Sequence, residues 1–354
     1  KFRALNNVEV EFGDYITVIC GKNGTSKSSI LGIAAQIFSF EKDYVTDEDL
    51  RGFKQISGKG FKSQYKEHIR ISEKFDVPGS LSASISLHDG YSNEAATANL
   101  ELMTRGVTKD DSKKILPRPV IRKNSTATGN TSRNFTHPVI FLSLKRLYPI
   151  ADRDYKAIDF DYLKAHEPEF ISLTNELLNR SATLATGTHG TITSAVSHGE
   201  NYDHESVSAG EDNAGQIIMA LLSFKKLKAE YADYKGGLLL IDEADAGLFP
   251  TAQINLLKIF ERECRKLDLQ VVMTSHSPVM IEYAYDQSQH EYSKKFKTIY
   301  LSNTYGDVKI IQDWSWAKIS ADIHTRTVKA GPTTILPSVN VYFEDKEAED
   351  FFAA

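Results

Sequence analysis

The segment Gly21-Lys22-Asn23-Gly24-Thr25-Ser26-Lys27-Ser28 puts a lysine and a hydroxyl at the end of a glycine-containing turn. An apolar run over residues 15–20 precedes it, and Ile30, Ile33, Ala34 and Ile37 follow at helical spacing. Strand, turn and helix in that order form a phosphate cradle, because turn N–H groups and the positive helix end both face an anion. Gly21, Asn23, Gly24, Thr25, Ser26, Lys27, Ser28 and Ser29 are the candidate cradle residues. Lys27 can reach the β- and γ-phosphates, and the Ser28 hydroxyl can ligate Mg²⁺. The expected ligand is a nucleoside triphosphate with Mg²⁺. Ser26 departs from the pattern G-x-x-x-x-G-K-[ST], which has glycine there. Serine is a mild replacement if that backbone needs positive φ or close approach to phosphate.

Three further stretches end in groups able to act on a phosphate. Leu238-Leu239-Leu240-Ile241 is a continuous apolar run of the kind buried in a parallel sheet, and it ends in Asp242-Glu243. Asp242 is expected to hold Mg²⁺ through water or Ser28, and Glu243 to polarise an attacking water. The strand pattern at Gln270-Val271-Val272-Met273-Thr274 leads to Ser275-His276, so His276 is expected at the ligand-binding carboxyl edge of the sheet. Ser208-Ala209-Gly210-Glu211 reads as a capped helix start, before Ile217, Ile218, Leu221, Phe224 and Leu227.

In that order the four elements resemble the P-loop, signature, acidic strand and switch histidine of ABC-type ATPases, with Ala209 in place of a glycine. The chain looks most like the head of the OLD (overcoming lysogenisation defect) and Septu defence proteins, a branch shared with RecF-like and SMC-like ATPases. Phe2-Arg3-Ala4-Leu5 leading to Val8, Val10 and Phe12 resembles its first strands. Glu243-Ala244-Asp245-Ala246-Gly247-Leu248-Phe249-Pro250 resembles its acidic turn, and Phe141-Leu142-Ser143-Leu144-Lys145-Arg146-Leu147-Tyr148-Pro149 the strand entering its helical lobe. The resemblance covers about the first three hundred residues. It implies an α/β head with a mixed sheet, an antiparallel β lobe and a helical insertion. It also implies two heads joined head to tail as a dimer around ATP. Ser208 and Gly210 would then touch the γ-phosphate in trans, Asp245 would signal between sites, and His276 would be the switch. Gln55 and Gln64 are the candidates for a Q-loop residue.

The chain has 354 residues, 41% hydrophobic and 25% charged, with net charge −5 from 42 basic and 47 acidic residues. It is long enough for a large core, and no run reaches the roughly 20 apolar residues that span a bilayer. Cys20 and Cys264 lie in apolar patterns and read as buried thiols of a reducing, cytoplasmic compartment. The mild acidity offers nucleic acid no global attraction, so DNA or RNA would need a local basic surface. Candidates are Lys113-Lys114, Arg118, Arg122-Lys123 and Arg133, or Lys225, Lys226 and Lys228, which read equally as solvated faces.

One ATPase head is expected over residues 1–335, with a β lobe at about 80–135 and a helical and mobile insertion at about 151–205. The alternation from Leu81 to Leu87, followed by Asp89-Gly90, predicts a strand and hairpin turn. Strands at 100–103 and 120–121 would complete the lobe. Phe160, Leu163, Phe170, Leu173, Leu177 and Leu178 predict a helical arm, and the polar stretches 123–136 and 181–213 are expected to be mobile. Residues 336–354 read as the start of a Toprim-like nuclease domain. Asn340-Val341-Tyr342-Phe343-Glu344 resembles its first strand, with Glu344 a metal-ligand candidate. The chain opens inside an expected strand and stops inside an expected helix, so both ends read as edges of an excised or ordered portion. Three functions share this core. The chain is an OLD-type nuclease with its own Toprim domain, a Septu-type ATPase gating a separate nuclease, or a DNA-repair or chromosome ATPase.

Overall fold

Continuous apolar runs separated by helical patterns make a sheet covered on both faces. In the computed structural model the elements run β1 (Ile16–Gly21), α1 (Lys27–Gln36), α2 (Tyr65–His68), β2 (Ser82–Asp89), β3 (Glu94–Met103), β4 (Arg118–Lys123) and β5 (Val139–Leu142). They continue as β6 (Tyr155–Ile158), α3 (Asp161–Ala165), α4 (Glu167–Leu178), β7 (Leu184–Gly190), β8 (Ser194–His198), α5 (Ala209–Glu230), β9 (Gly237–Ile241) and α6 (Pro250–Leu267). The last are β10 (Leu269–Ser275), α7 (Pro278–Gln289), β11 (Phe296–Ser302), β12 (Lys309–Ile311) and α8 (Trp316–Ile323). The structure describes residues 1–62, 65–69, 71–103, 117–123, 134–289, 295–304, 306–312 and 314–326, with Lys346 beyond them.

The central sheet has the order β12-β11-β1-β10-β9-β5 and is parallel except for β12. Its strands alternate between two cores, as a pleat requires. Ile16, Val18, Leu239, Ile241, Val271 and Met273 face a large cluster with α4, α5 and α6. Ile19, Leu238, Leu240 and Val272 face Ile30, Leu31 and Ala35 of α1. An antiparallel sheet β2-β3-β4 forms the lobe, its hairpin pairing Asp89 with Glu94. This is the hairpin predicted from Asp89-Gly90.

Other expectations need correction. Phe2 and Leu5 form no opening strand; they close a turn on each other, N to O at 2.9 and 3.0 Å. Left-handed backbones at Arg3 (φ 52°) and Asn7 (φ 52°) interrupt the extended conformation there. The predicted arm is no projection. Phe170, Leu173 and Leu177 are buried in the main core, where α4 packs on α5 and α6. Residues 181–213 do not form one irregular stretch. They supply β7, the fully buried β8 and the start of α5, and β8 lies against α5. Gly215 of α5 permits this contact, since a Cβ there would stand 1.8 Å from Ala195 O of β8. Residues 124–133 of the other polar stretch, Gln64, and Glu344 with its strand lie outside the described residues.

Candidate functional site

Strand register brings the chemistry together. Cys20 pairs with Ser275 and Ile241 with Met273, while Leu142 pairs with Ile241. Gly21, Asp242 and His276 therefore leave the sheet at one carboxyl edge, and so does the turn after β5. Parallel strands open their ligand crevice at that edge.

The turn after β1 wraps the N-terminus of α1. Gly24 has φ +81°, and Ser26, the N-cap of α1, has φ 62° and ψ 27°. Position 26 thus needs a left-handed backbone, which is the reason glycine is usual there and serine carries strain. Lys27 is 6% exposed and folds back, its Nζ donating to Gly21 O and Lys22 O at 2.8 Å each. Burial, only partly offset by neighbouring acids, lowers its pKa to about 8. Thr25 Oγ1 donates to Lys22 O at 2.8 Å, closing the loop on itself. Ser29 sits in the first turn of α1, its N–H donating to Ser26 O at 3.0 Å. A cavity of about 260 Å³ borders this loop, lined by Gly21, Lys22, Asn23, His276, Ile281, Ile323 and Thr325.

Ser28 Oγ donates to Asp242 Oδ1 at 2.7 Å, and Thr274 Oγ1 donates to the same oxygen at 2.8 Å. A hydroxyl and a carboxylate held this closely form a hard-oxygen set that suits Mg²⁺ alongside phosphate oxygens and water. Among the described residues no group of three or more His, Cys, Asp or Glu side chains could hold a metal by itself. Glu243 adopts φ 48°, a strained backbone for a non-glycine residue, and its N–H donates to Thr274 Oγ1 at 2.7 Å. Its Oε1 lies 3.9 Å from His276 Nε2, and both side chains are about one-third exposed, at 36% and 31%. Burial first, then the Lys27 charge, lowers the His276 pKa and so favours the neutral ring. Asp245 Oδ1 accepts from the His276 N–H at 3.2 Å.

Ser208 caps α5 in a capping box with Glu211. Gly210 packs on the turn after β9, where a Cβ would stand 2.2 Å from Gly247 O. Neither residue lines the cavity beside the P-loop. Gln55 is tied into its own turn, its Nε2 donating to Gly60 O at 2.7 Å. The lysine run on α5 offers no free basic surface, since Lys225, Lys226 and Lys228 pair with Glu169, Glu230 and Asp268. Lys113, Lys114 and Arg133 lie outside the described residues. Both cysteines are buried, and burial raises the Cys20 pKa to about 12. Among the described residues no helix is long and apolar enough to cross a membrane.

Two groups at this edge escaped the sequence reading. Arg146, in a 3₁₀ turn (Leu144–Leu147), is buried and donates to the Asp242 and Glu243 carbonyls at 2.6 and 2.7 Å. Its signal was a lone arginine just past a buried parallel strand. Asp322, at the end of α8, accepts from Lys22 Nζ and Tyr300 Oη at 2.7 Å each. Nothing local marked it.

The family profile described as "AAA ATPase domain" matches residues 35–281. The Septu protein PtuA of Bacillus thuringiensis is 24% identical over 297 residues, spanning 79% of this chain and 70% of that protein. Among solved structures, an SMC head domain from Thermotoga maritima overlaps 89% of this chain and 96% of its own, at 13% identity and TM-score 0.46. A Pyrococcus furiosus Smc head domain, bound to the C-terminal domain of ScpA, overlaps 92% and 96%, at 12% identity and TM-score 0.48.

Proposed function

The chain belongs to the AAA ATPase domain family and is an ATPase; from that premise we propose that it is the ATP-driven regulatory subunit of an anti-phage defence system of Septu type, acting in the cytoplasm. Similarity to the Septu protein PtuA over 79% of the chain supports the choice of system. The same similarity favours gating of a separate nuclease over a Toprim nuclease of its own.

The convergence of Lys27, Ser28, Asp242, Glu243 and His276 at one sheet edge carries the catalytic reading. Charged Lys27 and the α1 N-terminus bind the β- and γ-phosphates. Ser28 and Asp242 would hold Mg²⁺, which neutralises phosphate charge. Glu243 orients the attacking water, and neutral His276 beside it contacts the γ-phosphate or that water. Ser208, exposed on the capped start of α5, and Gly210 beside it complete the site of a second head, with Asp245 linking the two. Two heads thus close around ATP and release on hydrolysis, and that cycle controls the partner nuclease and its DNA or RNA substrate.

Glu243→Gln tests the reading. It should lower kcat by about 10²-fold or more, the scale of a lost water-orienting group, while ATP still binds. Hydrolysis at the wild-type rate would show that another group orients the water.

A further inference from the structure

Arg146 is the most extensively bonded cation at the carboxyl edge, and the mechanism above leaves it unused. Its Nη1 donates to Asp242 O, and also to Leu142 O and Ser143 O. Its Nη2 donates to Glu243 O at 2.7 Å, and its Nε to Asn213 Oδ1 at 2.7 Å. Asn213 belongs to the opening turns of α5, and its Nδ2 donates onward to Ala246 O at 2.8 Å. Gly210, three residues earlier, packs against Gly247. The capped start of α5 is therefore tied to both ends of the turn that begins with Glu243.

A planar fork suits this position and an ammonium does not. One guanidinium reaches two successive carbonyls on one edge and an amide oxygen through Nε, whereas lysine offers a single point of attachment. The Glu243 peptide is clamped from both sides, Arg146 holding its carbonyl and Thr274 Oγ1 its N–H. A left-handed glutamate persists only when its surroundings over-determine it, and these two contacts do so.

We propose that Arg146 is a positioning residue that couples the start of α5 to the backbone bearing Asp242 and Glu243, so that engagement of Ser208 and Gly210 sets the aim of Glu243. The coupling rests on the reading that Glu243 orients water and that α5 faces a second nucleotide.

Asn213→Ala cuts α5 from the guanidinium yet leaves it on both carbonyls; Arg146→Lys removes the fork. The full chain is assayed for melting temperature, binding of a fluorescent ATP analogue, and kcat and KM. Asn213→Ala should lower kcat by about ten-fold, within the cost of a misaimed catalytic group, with analogue affinity within about two-fold of wild type. The double variant should be no slower than Arg146→Lys alone, because the two act through one link. Wild-type kcat in Asn213→Ala, whatever its melting temperature, overturns the coupling, and so do additive losses in the double variant. If Arg146→Lys fails to fold, Asn213→Ala decides alone. Glu243→Gln run in parallel separates the failures: if it is inactive while Asn213→Ala is unimpaired, only the coupling is lost.

Discussion

At the scale of single residues, the left-handed Ser26 is the place where local backbone and nucleotide chemistry meet. Glycine would relieve about 1 kcal/mol of strain there but would add a similar conformational entropy to the unfolded chain. Ser26→Gly should therefore change stability by less than about 0.5 kcal/mol, whereas Ser26→Val, β-branched at positive φ, should cost about 2 kcal/mol. Urea titration of the two variants compares them. Lys27 makes a pH prediction with a definite sign. Its pKa, lowered to about 8, leaves it charged and anion-binding at pH 7 and neutral above the midpoint. Affinity for an ATP analogue should weaken from pH 7 to 9, and this dependence should disappear in Lys27→Met. A flat profile in the wild type would show that bound phosphate holds the proton throughout that range.

At the scale of elements, α8 is fastened to the P-loop by one carboxylate. Asp322 accepts from Lys22, Thr304 and Tyr300, and from Ser302 at 3.0 Å. Burial pushes its pKa up, but the Lys22 ammonium and three hydroxyls outweigh burial and bring it down to about 2. Its contribution is present above the ordinary carboxylate range and is lost as pH falls through about 2. Asp322→Ala strands these donors and should destabilise the chain by about 3 kcal/mol, measured by chemical denaturation at pH 7. A loss below about 0.5 kcal/mol would mean that water replaces the carboxylate without cost. The start of α5 is anchored in the same style, with Asp212 buried against Arg153 and accepting from Gln216 Nε2 at 2.8 Å.

At the scale of the whole molecule, the candidate catalytic groups gather at one face while the start of α5 stands apart from the P-loop cavity. In the proposed function a second head completes it. Glu243→Gln with ATP and Mg²⁺ should accordingly elute as a dimer in size-exclusion chromatography, and as a monomer without nucleotide. Monomer under both conditions would remove the head-to-tail arrangement.

Much of the site was legible in the chain, and the limit of legibility follows from range. Gly21 to Ser28, Asp242-Glu243 and His276 are each marked by a local rule, a turn or a polar stop after an apolar strand, which neighbours in sequence suffice to set. The hairpin after Asp89 and the helical periodicity of Phe170 and Leu177 were legible for the same reason, while the packing of that helix into the main core was not. The β6-β7-β8 sheet was not, because the small and polar residues of β8 become buried only when α5 covers that strand. Nor were Arg146 and Asp322, which are tied to groups as distant as Asn213, 67 residues on, and Lys22, 300 residues back. By itself the sequence determined the cradle, the acids and the histidine, since backbone geometry and strand polarity act locally. Only the tertiary structure decided which buried charges brace them, because a desolvated ion is stable only where folding brings its counter-groups within hydrogen-bond reach.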